Sequence, residues 1–134
     1  MAKLVIVLII FVIGSCSSPT GPGLENGVLA TFSVQSERHS ISITNPQTIE
    51  QVIALWNGQS TVNIPGGRVH KGHVAYNKTW SWHIDSGDVT MAEATIELCD
   101  GLPSYVEAHL DDWIQTVGYC CPWSAKLVAL KDYR

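Results

Sequence analysis

Residues 76–85, Tyr76-Asn77-Lys78-Thr79-Trp80-Ser81-Trp82-His83-Ile84-Asp85, hold the densest concentration of side chains in this chain that could do chemistry. On an extended strand Trp80 and Trp82 share one face, and Ser81, His83 and Asp85 share the other. Two readings fit. Indoles at 80 and 82, with Tyr76, Asn77 and His83 beside them, would form an aromatic platform for a sugar, a peptide or another flat ligand, because an indole joins a large apolar area to a polar handle. In the alternative reading both tryptophans are core and His83 is a surface or hydrogen-bonded residue.

Other chemistries have weaker patterns. His70, His73, His83 and Asp85 could be read as a metal cluster, and His83 and Asp85 sit two apart on one strand face. His70 and His73 would point to opposite faces of a strand, so the set does not converge and no metal site is assigned. A small metal-dependent hydrolase built on His83 and Asp85 stands as the alternative function. There is no Gly-x-Ser-x-Gly elbow, and the cysteines suit a bridge better than a thiolate nucleophile, so no catalytic residue is assigned. Glu93 and Glu97, four apart, resemble a carboxylate pair but fit a solvated sheet face equally well. Asn77-Lys78-Thr79 has the spacing of a glycosylation acceptor, which an exported bacterial protein would not use. No cofactor is implied.

The amino-terminal residues address location. Met1-Ala2-Lys3, ten apolar residues from 4 to 13, and Gly14-Ser15-Cys16 have the layout of a secretory signal, with Cys16 placed as in a bacterial lipobox. Residues 1–15 are expected to be removed and Cys16 acylated. Ten apolar residues reach only about half of the roughly 20 that a spanning helix needs. The expected location is the cell envelope, lipid-anchored, with Ser17 favouring the outer membrane if the cell has two. Residues 16–27, rich in Ser, Pro and Gly, read as a flexible tether to the domain at 28–134.

The net charge of −4 over 134 residues, with no basic run, argues against nucleic acid as a partner. The membrane, through the anchor, and a glycan, peptide or envelope protein are the expected partners. Besides Cys16 the chain carries Cys99, Cys120 and Cys121. In an oxidising compartment two of these are expected to pair, with Cys99 joined to Cys120 or Cys121, a closure that chain-entropy arguments value at roughly 3 kcal/mol.

These residues must be carried by regular elements. Val28, Ala30, Phe32 and Val34 alternate with less apolar residues, as do Ile41 and Ile43, and a hairpin joined by residues 35–39 follows. Thr44 or Asn45, Pro46 and Gly58 punctuate a helix whose apolar stripe is Ile49, Val52, Ile53 and Trp56. Pro65-Gly66-Gly67 reads as a turn before a short strand at 68–73. A second hairpin is expected from 79–84 and 89–99 through Asp85-Ser86-Gly87-Asp88, with Ala92, Ala94, Ile96 and Leu98 on its buried face. A helix from about 103 to 115 has capping-box spacing at Ser104 and Glu107, with Asp100 as another cap, and a stripe of Val106, Leu110, Trp113, Ile114 and Val117. Gly101 is read as a positive-φ turn residue, and 125–130 as a last strand. The expected fold is α+β, a single two-layer domain with an antiparallel sheet and two helices packed on one face.

Three segments are more specific together than apart: residues 76–85, residues 96–107 (Ile96-Glu97-Leu98-Cys99-Asp100-Gly101-Leu102-Pro103-Ser104-Tyr105-Val106-Glu107), and Cys121-Pro122-Trp123-Ser124. From about Ala30 onward the chain resembles the amino-terminal domain family of a slime-mould calmodulin-binding protein, a small exported domain found in bacteria and slime moulds. The resemblance implies that Cys99 pairs with Cys121, leaving Cys120 as an addition of this chain. It implies no activity, and the calmodulin-binding labels of some members are not carried over. The expected function is a membrane-tethered, non-enzymatic ligand-binding or adhesion module.

Overall fold

The computed structural model describes Leu24 and residues 26–134. The signal, Cys16 with its acylation, and nearly all of the tether lie outside the described residues. Seven strands and three α-helices follow in the order β1 (Val28–Val34), β2 (Glu37–Ile43), α1 (Pro46–Trp56), β3 (Ile64–Lys71), β4 (Trp82–Ile84), β5 (Thr90–Ala92), α2 (Pro103–Ala108), α3 (Leu110–Thr116), β6 (Tyr119–Cys120) and β7 (Ala125–Asp132).

The domain is mixed α+β, but the expected single sheet is two. One sheet has the order β2-β1-β7, and the other is built on β3, which pairs with β4, β5 and β6. All pairings are antiparallel. The helices do not share one face: α1 packs on β5 and β7, α2 on β2, and α3 on β3. One apolar core nevertheless runs through both sheets, from Val28, Phe32 and Ile43 to Val69, Trp82, Ile84, Val106 and Trp113.

Where the signal is local, the expected elements are present. In β1 the side chains at 28, 30, 32 and 34 are buried and those between are half-buried, the period of a strand with one covered face. Asn45 caps α1 by accepting from the N–H groups of Gln47 and Thr48, and Pro46 occupies the first turn, where its missing N–H costs nothing. The stripe is narrower than expected, since Ile49 and Val52 are buried while Trp56 is 49% exposed.

Elsewhere packing overrides local pattern. The β1–β2 hairpin turns on Gln35 and Ser36 alone, so residues 37–39 belong to β2. Pro65-Gly66-Gly67 is not a turn but the middle of β3. Gly67 is there for close approach, because a Cβ at that position would meet Ile84 Cγ2 at 2.2 Å. The expected second hairpin does not form: β4 and β5 each pair with β3, and the chain leaves extended pairing after Ala92. Ile96 and Leu98, expected to be buried, are therefore 69% and 64% exposed.

The expected helix at 103–115 is broken at His109 into α2 and α3. Its capping box is absent. Ser104 donates its N–H and hydroxyl to Glu37 of β2, and Glu107 accepts from the N–H and hydroxyl of Ser81. Both groups thus tie the helix to distant segments rather than to its own end. Gly101 does not have a positive φ. A Cβ there would lie 2.8 Å from Trp113 Cη2, so the indole of Trp113 requires the glycine.

Candidate functional site

The aromatic block divides between interior and surface. Trp82 is 0% exposed, packed beside His39 with ring centroids 5.7 Å apart. It cannot offer its face to a ligand, which removes the expected Trp80/Trp82 platform. Trp80 precedes β4, is half-buried, and donates from Nε1 to the Arg38 carbonyl at 2.8 Å. Asn77, also expected at a binding surface, is buried. Its Oδ1 accepts from the Ser40 N–H at 2.9 Å, and its Nδ2 donates to the Trp82 carbonyl at 3.1 Å. Asn77 is a strut between β2 and β4. A side chain so placed is closed to glycosylation in the folded domain.

Tyr76 and His83, by contrast, meet at the surface. Together with His70, Asp85 and Ser86 they line an open cavity of about 350 Å³. The β3–β4 register sets His70 directly opposite His83, and the two imidazoles stack with centroids 5.8 Å apart. Such a cross-strand pair is the sheet's means of bringing distant residues together. Asp85 leaves β4 at its carboxyl end, where Oδ1 accepts from the Gly87 N–H at 3.0 Å and Oδ2 lies 3.1 Å from His70 Nε2.

The protonation states follow from these partners. The Gly87 amide first, and the His70 ring second, hold the Asp85 carboxyl below its ordinary value. Asp85 is thus a carboxylate acceptor at neutral pH, and His70 Nε2 carries the hydrogen that it receives. Burial, then the nearby Asp85 charge, raise the Tyr76 phenol above its ordinary value, keeping it a hydroxyl. His83 Nδ1 donates to the Gly72 carbonyl at 2.9 Å, so in the neutral ring Nε2 is the acceptor. The cavity therefore combines an anionic acceptor, a phenol and two imidazoles, with flat ring surface beside them.

This assembly suits hydrogen-bond recognition better than metal chemistry. Among the described residues no three His, Cys, Asp or Glu side chains converge to hold a metal ion, and His73 is exposed outside the cavity. His83 and Asp85, the pair behind the hydrolase alternative, do share the cavity, but Asp85 is committed to Gly87 and His70. Glu93 and Glu97 do not form a strand-face pair: Glu93 accepts from Thr61, and Glu97 begins a 3-10 turn.

Of the pairings left open by the cysteines, the structure contains Cys99–Cys121, with Cα atoms 5.1 Å apart. The Cys121 N–H also donates to the Cys99 carbonyl at 2.8 Å, and the Trp123 N–H to Asp100 Oδ1 at 2.9 Å. Cys120 is free and buried, with its thiol pushed up to about 12 by that burial, so it is no nucleophile at neutral pH.

The residue that sequence reasoning discounted is His70. Its place opposite His83 depends on strand register, which no local pattern reports. The segments on which the resemblance rests are largely structural: Asn77, Trp82, Cys99, Asp100, Gly101, Glu107 and Cys121 all pack or pin the fold. No curated protein and no solved structure matches the chain. The family model for the N-terminal domain of the calmodulin-binding protein matches residues 26–133, and the chain belongs to that family.

Proposed function

We propose that the domain is an exported, membrane-tethered binding module that takes a glycan in the cavity formed by His70, Tyr76, His83 and Asp85. The signal-like start and Cys16 support export and lipid anchoring, and the Cys99–Cys121 bridge fits an oxidising compartment. The observation that carries the binding reading is the cross-strand His70–His83 stack beside the Asp85 carboxylate and the Tyr76 phenol, in one open cavity. Sugar hydroxyls both donate and accept. They match an ionised acceptor, a phenol and imidazole nitrogens, and the ring faces give the sugar's C–H surface a partner.

The test is a glycan array probed with the full chain and with His83→Ala. His83 is half-buried at the cavity wall, so the variant should melt as the parent does while binding to the parent's glycans falls at least tenfold. A parent that retains no glycan, or a variant that binds like the parent, would refute the reading.

A further inference from the structure

On the part of the molecule tied by the disulfide, the chain leaves a second opening of a different character. Ile64, Ile96, Leu98, Val117 and Tyr119 line a groove of about 250 Å³ with the Cys99–Cys121 bridge in its wall. Ile96 and Leu98 are among the most exposed large apolar side chains described, at 69% and 64%. They are not loose. Thr95 receives the Trp123 Nε1–H at 2.6 Å, and the bridge fixes Cys99, so both ends of the segment are held. A fixed apolar groove open to solvent marks an interaction site more often than an accident of folding.

The charge around it selects the occupant. Glu93, Glu97 and Asp100 are exposed on the segment that carries Ile96 and Leu98. From residue 79 to residue 125 the chain has eight Asp and Glu and no Lys or Arg. All lining residues except Ile64 and Gly66 come from that stretch. Such a rim repels anionic lipid and acidic polypeptide, and it attracts cationic groups that flank an apolar anchor.

We infer that this groove docks a segment of another polypeptide in which an aliphatic or aromatic side chain is flanked by Lys or Arg. The apolar side chain fills the space between Ile96, Leu98 and Tyr119, and the basic neighbours face Glu93, Glu97 and Asp100. This site is independent of the cavity at His70 and His83.

Fluorescence anisotropy of the oxidised full chain with three labelled twelve-residue peptides tests it: alternating Lys/Leu, alternating Lys/Ser and alternating Glu/Leu. The Lys/Leu peptide should bind at least tenfold more tightly than either control. Leu98→Asp should weaken it at least tenfold, Glu97→Lys severalfold, and raised salt should weaken it further. Because Leu98 and Glu97 are exposed, both variants should melt like the parent.

Equal binding of Lys/Ser would reduce the effect to general acidity and overturn the proposal, as would equal binding of Glu/Leu or indifference to Leu98→Asp. Sedimentation showing a dimer that Leu98→Asp dissolves would assign the groove to a second copy instead. Leu98-dependent pelleting with phosphatidylcholine vesicles would assign it to lipid. Either of these results would also overturn the proposal.

Discussion

Two sides of one short segment behave in opposite ways. Asn77, Trp82 and Ile84 turn inward and are consumed by the fold, whereas Tyr76, His83 and Asp85 turn outward and line a cavity. The inward set includes the most ligand-like residue of the segment, a tryptophan, and the outward set depends on a partner strand. An aromatic cluster in a sequence is thus a poor locator of a binding face. The residues placed between the large apolar ones, and whatever register sets opposite them, locate it better.

The strongest way to break this contrast is substitution at its centre. Trp82→Ala should cost about 3–5 kcal/mol, because it removes a fully enclosed indole from the core shared by the two sheets. Denaturant titration should show loss of most of the folded population at moderate denaturant. His83→Ala should cost far less by the same measurement. Comparable losses for the two would end the distinction between inward and outward faces.

Acid sharpens the contrast from another direction. His39 lies beside Phe32 and Trp82, and among the described residues neither of its ring nitrogens has a hydrogen-bond partner. Burial lowers its pKa from 6.5 to about 4. The unfolded chain therefore binds a proton near pH 6.5 that the folded chain refuses until about pH 4. The stability that neutral His39 preserves is present in full above pH 6.5, falls as pH drops through that window, and levels off below it. A shift of this size corresponds to about 3 kcal/mol. Denaturant midpoints measured from about pH 7 to about pH 4 should decline accordingly, and His39→Leu should flatten that part of the profile.

Asn77→Ala should destabilise by about 1–3 kcal/mol, since the Ser40 N–H and the Trp82 carbonyl lose their partner in the interior. Thermal melting would register the drop. The smallest effect is expected outside: His70→Gln removes an exposed contact with Asp85, a kind of pair worth at most about 1 kcal/mol. Its melting temperature should stay close to the parent's, while glycan binding should fall severalfold.

Sequence legibility followed the range of the interactions. β1 and α1 were legible because alternation at 28–34 and the Asn45-Pro46 start are local signals. The division into two sheets was not, because it depends on β3 pairing with three strands drawn from 82–84, 90–92 and 119–120. Gly66 and Gly67 look like a turn until Tyr119 and Ile84 are known to crowd them. Ser104 and Glu107 look like a capping box until Glu37 and Ser81 compete for them. Within the candidate site, Tyr76 and His83 could be named from the sequence, and Asp85 could be placed on the face of His83. The contribution of His70 could not be foreseen, since a shift of register would have set a different residue opposite His83.

The central claim is that the outward cluster, rather than the tryptophans, receives the ligand. Amide and side-chain NMR of the isotopically labelled full chain, titrated with the strongest glycan from the array, tests it most directly. Resonances of His70, Tyr76, His83 and Asp85 should move together and saturate with one binding constant, leaving Ile96 and Leu98 in place. Shifts centred on Trp80, Trp123 or the groove at Leu98, with the histidines unmoved, would contradict it.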